Sequence, residues 1–204
     1  MNVIHIFEKE NPHPEIELNY KNPFTLLIAI VLSAQATDKH VNKVTQKLFE
    51  SITTPYDVIH IGFDQLQESL KSINHYRNKS KYIYQLSEKL IQEFKGDVPN
   101  DRESLKTLPG IGQKSANVFL NAVHHAHYIP VDTHVFRVTQ RLGICLGKTP
   151  EQIEEQLESI TPEEYKSRIS GWLVLHGRYI CKAKKPQCEK CPLNQYCDYY
   201  QKNF

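Results

Sequence analysis

The sequence predicts an all-α protein. Apolar residues recur at helical spacing along nearly all of the 204 residues, and no sustained alternation of apolar and polar residues indicates a strand. Helix start signals, in which Thr or Asn precedes Pro or an acidic residue, recur between the apolar stretches. Hydrophobic residues make up 40% of the chain, which is ample for a core.

The first part of the chain contains closely spaced predicted helices. The first is a buried helix at 24–34, and the second is capped by Thr37 and carries Val41, Val44, Leu48 and Phe49 on one face. A third helix is marked by Leu66, Leu70 and Ile73. A longer fourth helix is marked by apolar residues from Tyr82 and Ile83 through Phe94, and Gly96 ends it. Asn100 and Glu103 have the form of a capping box for a short helix ending near Thr107. A tight turn at 108–112 then leads into a helix at 113–124.

The second part begins after Pro130 and contains three further helix starts. Asp132 stands at the N-cap of a helix at 134–141 that ends at Gly143. The stretches TPEQ at 149–152 and TPEE at 161–164 each place Pro at the first helical position. The residues predicted to be buried by these two helices are Ile153, Leu157 and Ile160, then Tyr165, Ile169, Trp172 and Leu173.

Charge and hydropathy restrict the compartment and the partners. The net charge is only +2, but residues from 166 onward carry eight Lys or Arg against two acidic residues, a local excess that can contact phosphates. The apolar run at 24–32 is too short to span a bilayer, and the N-terminus has no secretory pattern. We therefore expect a cytoplasmic protein with no membrane partner.

Four of the five cysteines lie close together near the C-terminus. They are Cys181, Cys188, Cys191 and Cys197, in the spacing C-x6-C-x2-C-x5-C. Thiols stay reduced in the cytoplasm, so this grouping favours metal ligation over disulfides. Four thiolates fit either Zn²⁺ or a [4Fe–4S] cluster, and the spacing by itself does not separate the two. Cys145 stands apart and is expected to be a core residue.

The stretch LPGIG at 108–112 has the form of a helix-hairpin-helix turn. Because Gly110 and Gly112 have no side chains, backbone N–H groups there can approach a DNA phosphate, assisted by the N-terminus of the following helix. Such a contact positions DNA without reading its sequence. A tight turn between two helices with no ligand is the structural alternative.

Lys114 and Asp132 are the candidate catalytic pair. A lysine beside a helix N-terminus loses its proton more readily, and a neutral amine can form a Schiff base with a sugar C1′. A nearby carboxylate can accept a proton or stabilise positive charge on the sugar. The alternatives are a solvated surface lysine and a plain N-cap.

Taken together, these segments resemble the endonuclease III family of helix-hairpin-helix DNA glycosylases with abasic-site lyase activity. The motifs that carry the resemblance occur in family order: LSAQATD at 32–38, LPGIGQKSAN at 108–117, VDTHVFRV at 131–138, LHGRYIC at 175–181, and the four-cysteine spacing. The resemblance implies two helical domains flanking a DNA-binding cleft. A six-helix barrel with the helix-hairpin-helix would span 16–126, and residues 1–15 with 127–204 would form the cluster domain.

The resemblance also implies roles for individual residues. Lys114 would be the nucleophile and Asp132 the assisting carboxylate. Cys181, Cys188, Cys191 and Cys197 would hold a [4Fe–4S] cluster, which decides between zinc and cluster. The loop between the first two cysteines would offer Lys182, Lys184 and Lys185 to phosphates.

The implied substrate is damaged double-stranded DNA carrying an oxidised or ring-saturated pyrimidine or an abasic site, acted on by a monomer. Gln35 matches the family residue that fills the space left by the extruded nucleotide. His75 stands where the family usually has an apolar wedge, and we expect its imidazole to insert between bases.

Three other interpretations are weaker. An adenine-glycosylase relative typically lacks the lysine at position 114 and the VDTH motif. A non-catalytic helix-hairpin-helix DNA-binding protein would have no reason to keep Lys114 and Asp132. A cluster-bearing redox protein would have no use for the hairpin.

Overall fold

The computed structural model describes residues 2–203. Within that range the regular elements are α-helices and short 3₁₀ turns, with no strand, so the predicted all-α class is confirmed. The helices are α1 (Asn2–Glu10), α2 (Pro23–Ser33), α3 (Asp38–Ser51), α4 (Pro55–Ile61), α5 (Phe63–Ser69), α6 (Tyr76–Phe94), α7 (Arg102–Lys106), α8 (Gln113–His124), α9 (Thr133–Leu142), α10 (Pro150–Ile160), α11 (Lys166–Tyr179) and α12 (Asp198–Asn203). The chain divides into two compact units. No helix in the described part is long and apolar enough to cross a bilayer.

The first unit, Glu17–His124, is built around α2. Every residue of α2 from Phe24 to Leu32 is buried, and the helix packs against α3, α6 and α8. Asn22 caps α2 by accepting a hydrogen bond from the Thr25 backbone N–H at 2.9 Å, and Pro23 occupies the first helical position. Helix α6 contributes the other buried stripe, which runs along Ile83, Leu86 and Leu90. These two helices fix the loops at their ends.

The second unit joins the residues up to Ile16 with those from His125 onward. Its core lies between α9 and α11, where Val135, Val138, Trp172 and Leu173 are buried. Helix α1 packs onto this core through Phe7, whose ring stacks on Trp172 with centroids 6.0 Å apart. This unit carries all five cysteines.

Several local predictions agree with the structure. Asp132, Thr149 and Thr37 each cap a helix with the side-chain oxygen. Pro150 is the first residue of α10. Cys145 is buried, 1% exposed.

Other local predictions were wrong. Asp101, not Asn100, caps α7, because its carboxylate accepts the hydrogen bond from Ser104 N at 2.9 Å. Ile160 is 54% exposed, because it is the last residue of α10, where the buried face ends. Tyr82 is 41% exposed, although it belongs to α6.

The remaining differences concern helix boundaries. Ile73 lies beyond the end of α5, in the turn before α6, where it is buried. Thr161 ends α10 and does not cap α11, which begins at Lys166 after a 3₁₀ turn. Helices α1, α4 and α12 were not predicted. The Thr54–Asp57 capping box was a readable signal for α4.

Candidate functional site

The hairpin between α7 and α8 contains two buried apolar residues and two glycines. Leu108 and Ile111 are buried, and the Ile111 N–H donates to the Leu108 carbonyl at 3.1 Å. Gly110 has a φ of +83°, and a Cβ there would lie 2.9 Å from the Cβ of Tyr82. Gly110 is therefore required by the fold itself. A Cβ on Gly112 would meet nothing within 4 Å, so this glycine faces open space.

Lys114 is an exposed residue in the first turn of α8, directly after this turn. The first N–H groups of a helix have no partner inside the helix, so the start of α8 offers donors and a partial positive charge to an anion. Gly110, Gly112 and Lys114 are thus brought to one end of α8.

Gln35 and His75 lie on two loops of the same unit that are in direct contact. Gln35 follows α2 and His75 precedes α6, and both have left-handed backbones, with φ of 55° and 58°. Nε2 of His75 is 3.0 Å from Oε1 of Gln35. Asn74 Nδ2 donates to the Gln35 carbonyl at 3.2 Å. The two residues predicted to enter DNA are therefore already paired with each other.

Lys79 supports the Gln35 loop from inside the unit. Its side chain is buried, and Nζ donates to the carbonyls of Leu32 at 2.9 Å and Ala34 at 2.6 Å. Burial lowers the pKa of this ammonium group. Lys79 was not among the predicted site residues, although it lies in register with the apolar stripe of α6, where a lysine is unusual.

Asp132 is a half-buried N-cap residue in the second unit. Its Oδ1 accepts hydrogen bonds from the backbone N–H groups of His134 at 2.7 Å and Val135 at 2.8 Å. Both bonds go to the same oxygen, so the cap fixes the carboxylate while neither bond uses Oδ2. The capping role and a chemical role for Asp132 are compatible.

The four clustered cysteines line a single cavity. Cys181 follows α11, Cys188 opens a 3₁₀ turn that is followed by Cys191, and Cys197 ends the next turn. Burial raises the pKa of the Cys191 thiol to about 11, with further contributions from the neighbouring cysteines. Burial, and after it the proximity of Cys181 and Cys197, raise the pKa of the Cys188 thiol. Four thiolates gathered here require a positive centre to compensate their charge.

The donor set of this cavity fits an iron–sulfur cluster. All four cysteines line the same cavity, and four cysteine thiolates are the ligand set of a [4Fe–4S] cluster. Arg141 Nη1 lies 3.5 Å from the Cys181 sulfur, and His176 Nε2 lies 3.5 Å from that of Cys191. Burial lowers the pKa of His176 to about 4, so the ring adds no charge at neutral pH. Hydrogen bonds to the sulfurs are typical of cluster sites.

Arg141 also holds the lysine-bearing loop between the first two cysteines. Its guanidinium donates to the carbonyls of Lys182 at 2.7 Å and Ala183 at 3.1 Å, and lies 4.7 Å from the centre of the Tyr199 ring. Lys182, Lys184 and Lys185 are exposed on this loop. Arg141 was not predicted as a site residue, because its contacts involve residues about 40 positions away.

Two family models match the chain. The model of the HhH-GPD superfamily of base excision DNA repair proteins matches residues 28–163, and the iron–sulfur binding domain of endonuclease III matches residues 181–197. Endonuclease III of Rickettsia conorii is 48% identical over 198 residues, which cover 97% of this chain and 94% of that protein. The chain belongs to the endonuclease III family. The predicted iron–sulfur cofactor is confirmed by the second match, which also spans all four cysteines.

Other members of the endonuclease III family are comparably similar. The Escherichia coli K12 enzyme is 44% identical over 194 residues, covering 95% of this chain and 92% of that one. A structure of a trapped endonuclease III–DNA covalent intermediate superposes with a TM-score of 0.91 at 44% identity, covering 98% of this chain and 94% of the other. A non-covalent endonuclease III–DNA complex gives a TM-score of 0.92 at 43% identity, with the same coverage.

Proposed function

We propose that this chain removes oxidised or ring-saturated pyrimidines from duplex DNA and then cleaves the strand at the abasic site. The observation that carries the proposal is Lys114, exposed at the start of α8 directly after the Gly110–Gly112 turn, in a member of the endonuclease III family. A relative 44% identical to this chain has been trapped as a covalent intermediate with DNA, and such an intermediate requires a nucleophile on the protein.

The division of the chain into two compact units supports the two proposed domains. The unit Glu17–His124 would be the barrel domain with the helix-hairpin-helix predicted for 16–126, and the second unit would be the cluster domain. We propose a monomer that acts in the cytoplasm, where thiols remain available for iron ligation.

The DNA backbone would be held at two places. The N–H groups at the start of α8 would bind a phosphate oxygen beside Gly112, where even an added Cβ would have no protein atom within 4 Å. The exposed Lys182, Lys184 and Lys185 would contact further phosphates from a loop fixed by Arg141. Neither contact reads a base, so lesion choice must come from the extruded nucleotide.

The reaction would proceed in two stages, release of the base and then cleavage of the strand. The Lys114 amine attacks C1′, the bond from C1′ to the base breaks, and the base leaves with the electron pair. Asp132 stabilises the positive charge that develops on the sugar. The nitrogen then loses a proton and its electron pair forms the C=N bond, while the C1′–O4′ bond breaks and O4′ takes up a proton, which gives an imine to the opened sugar. Removal of a C2′ proton then expels the 3′ phosphate, which nicks the strand, and water releases Lys114.

The cluster would take no part in these steps. Cys181, Cys188, Cys191 and Cys197 would hold the [4Fe–4S] group, whose iron compensates the thiolate charge and links the C-terminal segments. In this way it would stabilise the loop that presents Lys182, Lys184 and Lys185.

The proposal is tested with a duplex that carries one thymine glycol, with an undamaged duplex as the control. We expect release of thymine glycol, a nick on the 3′ side of the lesion, and no release from undamaged DNA. Release without a nick would indicate a monofunctional relative. Binding without release would indicate a DNA-binding protein that performs no chemistry.

A further inference from the structure

The strongest unassigned relationship in the molecule is the side-chain contact between Gln35 and His75. These residues are 40 positions apart and exposed, and they lie on different loops. With Oε1 of Gln35 facing the ring at 3.0 Å, Nε2 of His75 carries the proton and donates it. A leucine at position 75 could make no such bond.

The backbone at both positions has a conformation that residues other than glycine rarely adopt. Gln35 and His75 both lie in the left-handed region. Such conformations persist only where surrounding contacts determine them, and they are concentrated at functional sites. Here the contacts come from one stretch of chain, because Asn74 holds the Gln35 carbonyl and Lys79 holds the carbonyl of Ala34. The position of Gln35 is thus set by residues 74–79.

We propose that His75 is a positioning residue for Gln35, and that the two side chains act on DNA as one hydrogen-bonded unit. This rests on the proposed function, in which Gln35 fills the space left by the extruded nucleotide. Holding the Gln35 carboxamide before DNA arrives removes part of the entropy cost of ordering it on binding. If His75 were only an independent wedge, its removal and that of Gln35 would have separate effects.

A double-mutant cycle distinguishes these cases. Gln35→Asn and His75→Asn shorten each side chain beyond reach of the other, and Asn tolerates the left-handed backbone at both positions. The readout is the single-turnover rate of thymine glycol excision. We expect the rate of each single variant to fall about three- to tenfold, which is the range of one hydrogen bond. The rate of the double variant should fall no further than that of the slower single variant. Losses that multiply, or no loss in either single variant, would overturn the proposal.

A conservative variant separates positioning from a general structural role. Gln at position 75 has an amide nitrogen at about the reach of imidazole Nε2, so His75→Gln should restore most of the rate lost in His75→Asn. Equal losses in His75→Gln and His75→Asn would contradict the proposal. His60→Asn, which changes a histidine of α4, should leave the rate unchanged. Melting temperatures of all variants establish that they fold.

The wild-type reaction keeps the two proposals apart. If wild type releases thymine glycol but the cycle is additive, the pairing of Gln35 and His75 fails alone. If wild type neither releases the base nor nicks the strand, the proposed function itself fails.

Discussion

The ammonium group of Lys79 donates a hydrogen bond of 2.6 Å to the backbone carbonyl of Ala34, the residue before Gln35. The same group donates to the Leu32 carbonyl at 2.9 Å, so a buried charge satisfies the C-terminal end of α2. Helix ends leave carbonyls without partners inside the helix, and a cation there also matches the helix dipole. One buried lysine therefore determines where the Gln35 loop begins.

Lys79→Met keeps the length of the side chain and removes both hydrogen bonds. Because the Leu32 and Ala34 carbonyls then lose their donor, we expect the free energy of unfolding to fall by about 1–3 kcal/mol. Denaturant unfolding measures the change. Lys81→Met, which alters an exposed lysine of the same helix, is the matched control and should stay within about 0.5 kcal/mol of wild type. Equal stability of the two variants would contradict the role assigned to Lys79.

The two hairpin glycines should fail in different ways. Gly110→Ala places a methyl group against Tyr82 at a φ of +83°, so we expect a loss of about 1 kcal/mol or more in the free energy of unfolding. Gly112→Ala places its methyl group in open space, so stability should hold while DNA affinity falls by about tenfold. Thermal unfolding and fluorescence anisotropy with labelled duplex measure the two quantities. A stable Gly112→Ala variant that binds DNA with wild-type affinity would contradict the proposed phosphate contact at this turn.

Asp57 should make α4 sensitive to acid. Burial raises the pKa of this carboxyl, but hydrogen bonds from the backbone and side chains of Thr53 and Thr54 outweigh it, so the net pKa is lowered. A lowered folded-state pKa stabilises the fold above the unfolded pKa, and this stabilisation is lost as pH falls through the folded pKa. We expect Asp57→Ala to cost about 1 kcal/mol at pH 7 and progressively less below about pH 4.

Urea unfolding of wild type and Asp57→Ala between neutral and acid pH measures that dependence. Asp97→Ala, at a loop carboxylate, provides the control and should show no comparable loss. A cost for Asp57→Ala that persisted undiminished into acid would show that the capping carboxylate is not its source.

The five cysteines should separate into four ligands and one core residue. Cys191→Ala removes a thiol from the common cavity, so we expect purified protein with far less iron and acid-labile sulfide than wild type. Cys145→Ala removes a buried thiol elsewhere in the same unit and should retain both. A chemical assay of iron and acid-labile sulfide per chain compares the two variants with wild type. Full retention of iron in Cys191→Ala would exclude that residue as a ligand.

Local signals made much of this fold predictable. The N-caps Asp132, Thr149 and Thr37 were readable because a cap depends on residues two to four positions away. The spacing of Cys181, Cys188, Cys191 and Cys197 predicted a metal site in the same local way, but the family resemblance was needed to prefer a cluster to zinc. Asn100 was chosen over Asp101 because neighbouring capping residues compete, and only the path of the chain decides which one accepts the hydrogen bond.

The contacts that position the site could not be predicted, because they join distant parts of the chain. Lys79 reaches Leu32 across 47 positions, and His75 reaches Gln35 across 40. A lysine in an apolar stripe indicates that its ammonium group has a buried partner, but the sequence does not show which residue that partner is. The sequence therefore proposed Gln35 and His75 as DNA-contacting residues, but it did not predict that they contact each other.

The central claim is that Lys114 is the nucleophile, and borohydride trapping tests it most directly. Reduction converts an imine between protein and sugar into a stable amine, which appears as a shifted band on a denaturing gel. Wild type, Lys114→Ala and Lys89→Ala are compared on a thymine glycol duplex, Lys89 being a lysine of α6 that pairs with Glu93 at 3.4 Å. We predict the band with wild type and Lys89→Ala and its absence with folded, DNA-binding Lys114→Ala. A band of equal strength with Lys114→Ala would contradict the account.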